Sequence, residues 1–314
     1  MSMDLISLAL LRGAKLYASI SGGKDGQAMV ASLVNNQLPI TGLIHADLGR
    51  VEWPESFRQC QTLAAEHAIP LHIVKRSDGL GLLEIWKRRM AKLQGKQKPF
   101  WSSSKQRYCT SDLKIGPINV FFTATGHDFI ISAEGLRADE SKARSQKNPL
   151  SIRSNKSSAY YAEMTVEEAI FHFRPGKKLV LTWYPIFNFS NADVWATYHM
   201  SEVQLIVARS QYAASGILPA WWPFHPAYVF GNQRVSCRYC ILGRQGDLRT
   251  AARHDHDQLL DELIDMERVS GYTFKNNFSL RTLRHPSPNT HLTGIQQTLP
   301  FEFLDELPIA SCSH

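Results

Sequence analysis

Ser21, Gly22, Gly23, Lys24, Asp25 and Gly26 stand between an apolar stretch, residues 15–20, and an amphipathic one, residues 27–35. Two adjacent glycines let a chain turn tightly and approach a ligand without a Cβ in the way. The helix start that follows leaves N–H groups unpaired, and Lys24 adds positive charge beside them. That combination seats a phosphate. The spacing is neither the GxxxxGK[ST] of a Walker loop nor the GxGxxG of a dinucleotide fingerprint, so kinase-like and nicotinamide chemistry gain no support. Far downstream, Cys237 and Cys240 form a CxxC pair, which either clamps a soft metal or cycles as a redox dithiol.

The elements that must position these groups follow an α/β rhythm. Runs rich in β-formers at 15–20, 40–45, 71–75 and 129–133 alternate with helical patterns at 27–35, 55–67 and 80–93, which predicts a mainly parallel sheet with flanking helices. Ligands of such sheets lie beyond the carboxyl ends of the strands. The loop at 21–26, the turn after His45 and the segment after Ala133 should therefore share one crevice. Residues 141–158 are polar and basic and are expected as a mobile loop beside it. Beyond them, Thr165 with Glu168 makes a capping box, and Ser201 with Gln204 a second. A strand is expected at 179–186, and irregular packing at 215–231. The expected division is a nucleotide-binding core over 1–160 and a smaller, mostly helical region over 161–314 that completes the crevice and carries the CxxC pair.

Size and composition agree with a folded chain. At 314 residues and 44% hydrophobic content, about three quarters of the unfolded surface can be buried. The start carries no basic segment followed by an apolar core and no run is long enough to span a bilayer, so a cytoplasmic protein with no membrane partner is expected. Five cysteines, an odd and scattered set, speak for thiol or metal chemistry over a disulfide scaffold. Cys60 reads as a small buried hydrophobe within a helix. The net charge is +7, and Lys87, Arg88, Arg89, Lys92, Lys96, Lys98, Lys105 and Arg107 crowd one segment around Phe100 and Trp101. Such a patch follows a nucleic-acid backbone with a ring stacked on a base, steers a small anionic substrate, or is a solvated helix face.

SGGKD after a first strand resembles the pyrophosphate-binding loop of the PP-loop ATP pyrophosphatases, and more narrowly the branch holding the phosphoadenosine phosphosulfate (PAPS) reductases and the DNA-phosphorothioation sulfur-transfer enzymes. Gly26 stands where that family usually has serine. Further stretches carry the resemblance in order: His45 to Glu55; Gly135-Leu136-Arg137 through Glu140-Ser141 to Arg144, like the family's GxRxxES…R; Pro185 to Trp195; and Gly231 to Cys240. The resemblance implies an adenine nucleotide alpha hydrolase-like fold, with Ser21, Gly22, Gly23, Lys24, Asp25, Gly26, Asp47, Arg137, Glu140 and Arg144 around ATP and Mg²⁺. Lys24 and Arg137 would stabilise departing phosphate, and Asp25 and Asp47 would meet magnesium. Glu140 would hold Arg137 or join the magnesium shell.

It further implies that Cys109, ahead of Leu113, Lys114 and Pro117, meets Cys237 and Cys240 in space. Three thiolates would hold an iron–sulfur cluster, 4Fe–4S in type, with zinc as the alternative and a metal-free thiol relay as a third reading. Tyr108 stands where relatives often have a fourth cysteine, so Cys312 or His225 would complete the set, or one iron would stay open. The function implied is ATP-dependent sulfur transfer to nucleic acid, DNA preferred over tRNA, with Cys109 among the catalytic groups, a cysteine desulfurase as sulfur donor and modification-complex subunits as partners. Two alternatives stand beside it: a PAPS or adenylyl-sulfate reductase using Cys312, and a catalytically weak nucleotide-binding module.

Overall fold

The computed structural model of the protein describes residues 2–284, positions 97 and 155 apart. Cys312 and the apolar residues 301–307 lie outside the described residues. A six-stranded sheet forms the centre: β1 (Lys15–Ile20), β2 (Ile40–Ala46), β3 (Leu71–Val74), β4 (Phe129–Glu134), β5 (Leu150–Ile152) and β6 (Leu179–Trp183), in the order β3-β2-β1-β4-β6-β5. All neighbours pair in parallel except β5, which runs antiparallel to β6. The chain reverses its strand order at β1, where β2 lies to one side and β4 to the other, and that switch point opens a crevice at the carboxyl ends. The expected α/β fold of adenine nucleotide alpha hydrolase type is thus present.

Burial explains why these segments are strands. Leu16, Ala18, Ile131, Ala133 and Leu181 point into one core, with Ala28, Met29 and Leu33 of helix α2 (Lys24–Asn35) against them. Helix α1 (Ser2–Leu11) adds Ile6 and Ala9 to the same core. Tyr17, Ile44, Ile130 and Val180 face the opposite side, under Ile118 and Phe122. Both faces are covered, which is why the strands read as near-continuous apolar runs.

Helix α3 (Pro54–Glu66) starts with proline at its first turn, and α4 (Leu82–Leu93) packs Leu82, Leu83, Ile85 and Trp86 into a further core with Leu259, Leu263 and Phe274. The stretch 141–158 differs from the mobile loop expected of it. It holds a helical turn, Lys142–Ser145, and the edge strand β5, because Leu150 has apolar company in the sheet core. Among the described residues no helix is long and apolar enough to cross a membrane.

The basic segment is also built differently. Phe100 and Trp101 are only 1% and 5% exposed; Trp101 packs edge to face with Trp86 and Phe274, and Phe100 lies tilted against Trp101, so neither ring is presented to stack on a base. Several of the charges around them are engaged: Lys87 with Glu262 at 2.8 Å, Arg88 with Asp78 at 3.3 Å, and Arg89 over the Tyr108 ring at 4.2 Å.

Candidate phosphate-binding site

Strand register brings the predicted segments together. Ile20 pairs with His45 and Ser19 with Glu134, so the loop at 21–26, the turn at Asp47 and the segment from Gly135 leave the sheet side by side. Glycine is required at two places. Gly22 has φ +74°, and a Cβ there would stand 2.7 Å from the Ser56 carbonyl oxygen; a Cβ on Gly135 would stand 2.7 Å from that of Asp25. The second contact is what lets the β4 segment lie directly on the loop. The N-cap residue of α2, Gly23, has no side chain to cap the first turn. The Lys24 N–H donates to the Tyr228 hydroxyl at 3.0 Å. The positive end of the helix therefore faces the crevice.

The side chains around this turn form a shared charge array. Asp25 Oδ1 accepts from Lys24 Nζ at 2.9 Å and from Arg137 Nε at 2.7 Å. Arg137 Nη1 reaches Asp139 at 2.6 Å and the Phe189 carbonyl at 3.2 Å. Lys24 and Arg137 are each 4% exposed. Burial pulls the Lys24 ammonium below its ordinary pKa, partly countered by Asp25. Arg137 goes the other way, because Asp25 and Asp139 outweigh its burial.

Glu140 accepts from Arg144 and lies 3.4 Å from Arg234, so it positions those two arginines and leaves the Arg137 guanidinium to Asp25 and Asp139. A cavity of about 170 Å³, lined by Ser21, Gly23, Gly26, Gly135, Arg144 and Arg234, lies directly over the loop. Tyr228, Asp139 and Arg234 were not singled out as site residues from the sequence. They sit far from the loop in the chain or in a charged turn, and only the folded contacts give them a place here.

A sequence profile of the phosphoadenosine phosphosulfate reductase domain matches residues 15–207. The chain belongs to the PAPS reductase domain family. A solved phosphoadenylyl-sulfate reductase from Candida auris, a phosphate complex, is similar with a TM-score of 0.42 and 16% identity, over 75% of this chain and 87% of that one. No curated protein matches the sequence. The profile describes the PAPS reductase domain as a whole and does not single out a DNA-phosphorothioation branch.

In this PAPS reductase family member the described residues do not form the expected metal centre. Among the described residues no group of three or more His, Cys, Asp or Glu side chains is arranged to hold a metal ion, which overturns both the iron–sulfur cluster and the zinc alternative for Cys109, Cys237 and Cys240. Cys109 and Cys237 serve as apolar packing against the core under α4. Burial pushes the Cys237 thiol up, with Lys114 nearby opposing it. His225 is no ligand either. Its Nδ1 accepts from Ala227 N–H at 3.0 Å, so Nε2 carries the proton toward Ser56 Oγ at 3.1 Å, and burial holds the ring neutral with a pKa of about 3.

Magnesium is poorly served as well. Asp25 is taken by two cations, and Asp47 by Lys75 at 2.7 Å and by Gly49 N–H at 2.7 Å. Although partial burial opposes it, those two partners hold the Asp47 carboxyl below its usual range. These residues do not fit a protein-held Mg²⁺, and no step is routed through one.

Two expected results follow from the loop and its support. A Cβ on Gly26 meets nothing closer than Ile20 at 3.6 Å, and its φ is not positive, so glycine is not needed there. Gly26→Ala should stabilise the protein by about 0.5–1 kcal/mol through helix propensity, and Gly26→Ser should fold equally well. Thermal melts decide, a drop in either variant counting against an unstrained site.

Behind the loop, His45 Nδ1 lies 3.4 Å from the Ile20 carbonyl and 3.6 Å from Cys60 Sγ, while Nε2 faces Glu52 at 3.5 Å. Burial presses the imidazole toward neutrality, but Cys60 and Glu52 more than offset it and lift the pKa to about 10. The folded value stands above the unfolded one of about 6.5, so this contribution is complete below that pH and is lost as pH rises toward 10. Melting temperature should fall over that window in the wild type. The fall should be shallower in His45→Gln, and identical slopes would contradict the assignment.

Proposed function

We propose that this chain is a sulfonucleotide-handling enzyme that binds an adenylyl nucleotide with its phosphoryl end on the loop at 21–26, and that the reaction is of the PAPS or adenylyl-sulfate reductase type. The observation that carries the reading is the pairing of Lys24 and Arg137 through one carboxylate beside a helix start whose N-cap is glycine, within the span that matches the PAPS reductase domain. Asp25 fixes both cations before any ligand arrives. An incoming phosphate then replaces a carboxylate on donors already in position, so little reorganisation is needed when negative charge builds on the leaving phosphate.

In such a reaction a thiolate attacks the sulfuryl sulfur, and the bond from that sulfur to the bridging phosphate oxygen breaks. The electron pair leaves with the nucleotide, on the group that Lys24 and Arg137 stabilise. One thiol of a dithiol reductant then attacks the enzyme sulfur, releasing sulfite and forming a mixed disulfide, and the reductant's other thiol displaces the enzyme thiolate to leave the reductant as a disulfide. Cys312 is the candidate attacking thiol, since Cys237 packs against the apolar core and its thiol pKa is raised.

The test is sulfite release from PAPS and from adenylyl sulfate with thioredoxin as reductant, wild type against Cys312→Ser. Sulfite from the wild type, lost in the variant, supports the reading. Pyrophosphate released from ATP with no sulfite from either sulfonucleotide overturns it in favour of acceptor adenylylation.

A further inference from the structure

A second cavity, of about 510 Å³, opens beside the loop, next to helix Glu202–Ser215. It shares Asp25, Glu140 and Arg234 with the smaller cavity over the loop, so the two adjoin. Its size is ordinary for a ligand site. Its charge is not balanced in the way the loop's charge is. Lys24, Arg137 and Arg234, whose side chains line this second cavity too, and Arg144 over the loop each have a carboxylate partner in Asp25, Asp139 or Glu140.

Arg209 and Arg244 also line the second cavity, and among the described residues neither has a carboxylate within ion-pair distance. Arg209 is held by main-chain carbonyls, donating from Nε to Tyr228 at 2.9 Å and from Nη2 to Asn232 at 3.1 Å. Arg244 is held by the side-chain carbonyl of Gln233. Two nearby carboxylates are engaged elsewhere: Asp247 accepts from Gln233 N–H at 2.9 Å, and Glu202 from Asn191 at 3.2 Å. Arg244 is exposed, but Arg209 is a fixed, part-buried guanidinium without a counter-charge, which is costly, and a planar fork held in place is suited to a tetrahedral oxyanion. Burial accordingly pulls Arg209 below its ordinary pKa, with Asp247 only partly opposing it.

We propose that this cavity is a second anion subsite, in which Arg209 and Arg244 receive a phosphate or sulfate oxyanion separate from the group seated on the loop. The oxyanion comes from one of two sources, a second anionic group on the same ligand or a free anion. Arg209 and Arg244 lie beyond the span that matches the PAPS reductase domain. The proposal rests on the nucleotide reading only for what fills the loop.

The experiment is calorimetric titration of inorganic phosphate into the full chain, alone and presaturated with ADP, for wild type, Arg209→Gln and Arg244→Gln. Thermal melts confirm folding, and Arg244→Gln, whose side chain supports no backbone, serves if Arg209→Gln fails to fold. Phosphate binding to the ADP-saturated wild type, weakened at least about tenfold in either variant, establishes the subsite with a free anion. Phosphate excluded by ADP, with ADP itself bound about tenfold more weakly by the variants, establishes it with the nucleotide's own second group. Phosphate excluded by ADP and ADP affinity unchanged in both variants overturns it. If ADP does not bind the wild type, the nucleotide reading fails instead. Phosphate titrated into wild type and variants without ADP then decides the subsite, equal binding overturning it.

Discussion

Arg137→Ala is expected to lower sulfite-forming turnover by about two to three orders of magnitude, roughly 3–4 kcal/mol of transition-state stabilisation. The size comes from two losses at once. The variant removes a fork held by Asp25, Asp139 and the Phe189 carbonyl. It also leaves the Asp25 and Asp139 carboxylates facing the incoming anion with one cation fewer between them. Arg137→Lys keeps charge but not the fork, and should recover only about tenfold of the loss. Asp139→Asn keeps the fork anchored on Asp25 and should cost less than about fivefold. Steady-state kinetics on the sulfonucleotide measures all three, and an Arg137→Ala variant within about fivefold of wild type would remove Arg137 from the reaction.

The largest stability effect is expected between the two cysteines rather than at them. The Arg238 side chain is 2% exposed and donates to Asp257 at 2.6 and 2.8 Å, to the Arg50 carbonyl at 2.7 Å and to the Glu52 carbonyl at 3.1 Å. It also lies 3.4 Å from Asp255, whose side chain is 4% exposed. Tyr239 donates its hydroxyl to the same Asp255 at 2.8 Å. This network ties the segment after the crevice to the turn at 49–52. Arg238→Met takes one partner from a buried pair and should cost about 3–5 kcal/mol, toward the lower end because Asp255 retains Tyr239 and the Leu259 and Leu260 N–H groups. Cys240→Ala should cost about 1 kcal/mol. Denaturant midpoints at constant m-value compare them. A cysteine variant as damaging as Arg238→Met would show that the thiols, not the guanidinium, hold this segment.

What the sequence disclosed was local. The strand and helix runs were legible because both faces of the sheet are buried and the helices are amphipathic over several turns. The Thr165 and Ser201 caps were legible because the donor and acceptor lie three residues apart. The loop was legible because its glycines and lysine are contiguous.

What escaped depends on contacts between distant segments. Asp25 meets Arg137 across 112 residues, and Lys24 meets Tyr228 across 204. No spacing rule connects them. The aromatic residues within the basic segment misled for a physical reason. Alternating cations and rings look the same in sequence whether the rings face solvent or, as with Phe100 and Trp101, sit inside while charged heads remain outside. The cysteines misled similarly: CxxC spacing places two thiols near each other, but does not decide whether they face a metal or an apolar wall.

The measurement that tests the central claim most directly is a calorimetric comparison of adenylyl sulfate with adenosine, for wild type and Lys24→Met. If the loop at 21–26 seats the phosphoryl end, the wild type binds the sulfonucleotide at least about a hundredfold more tightly than adenosine, and Lys24→Met erases most of that difference. Equal binding of the two ligands, or a preference untouched by the loss of Lys24, would contradict the account.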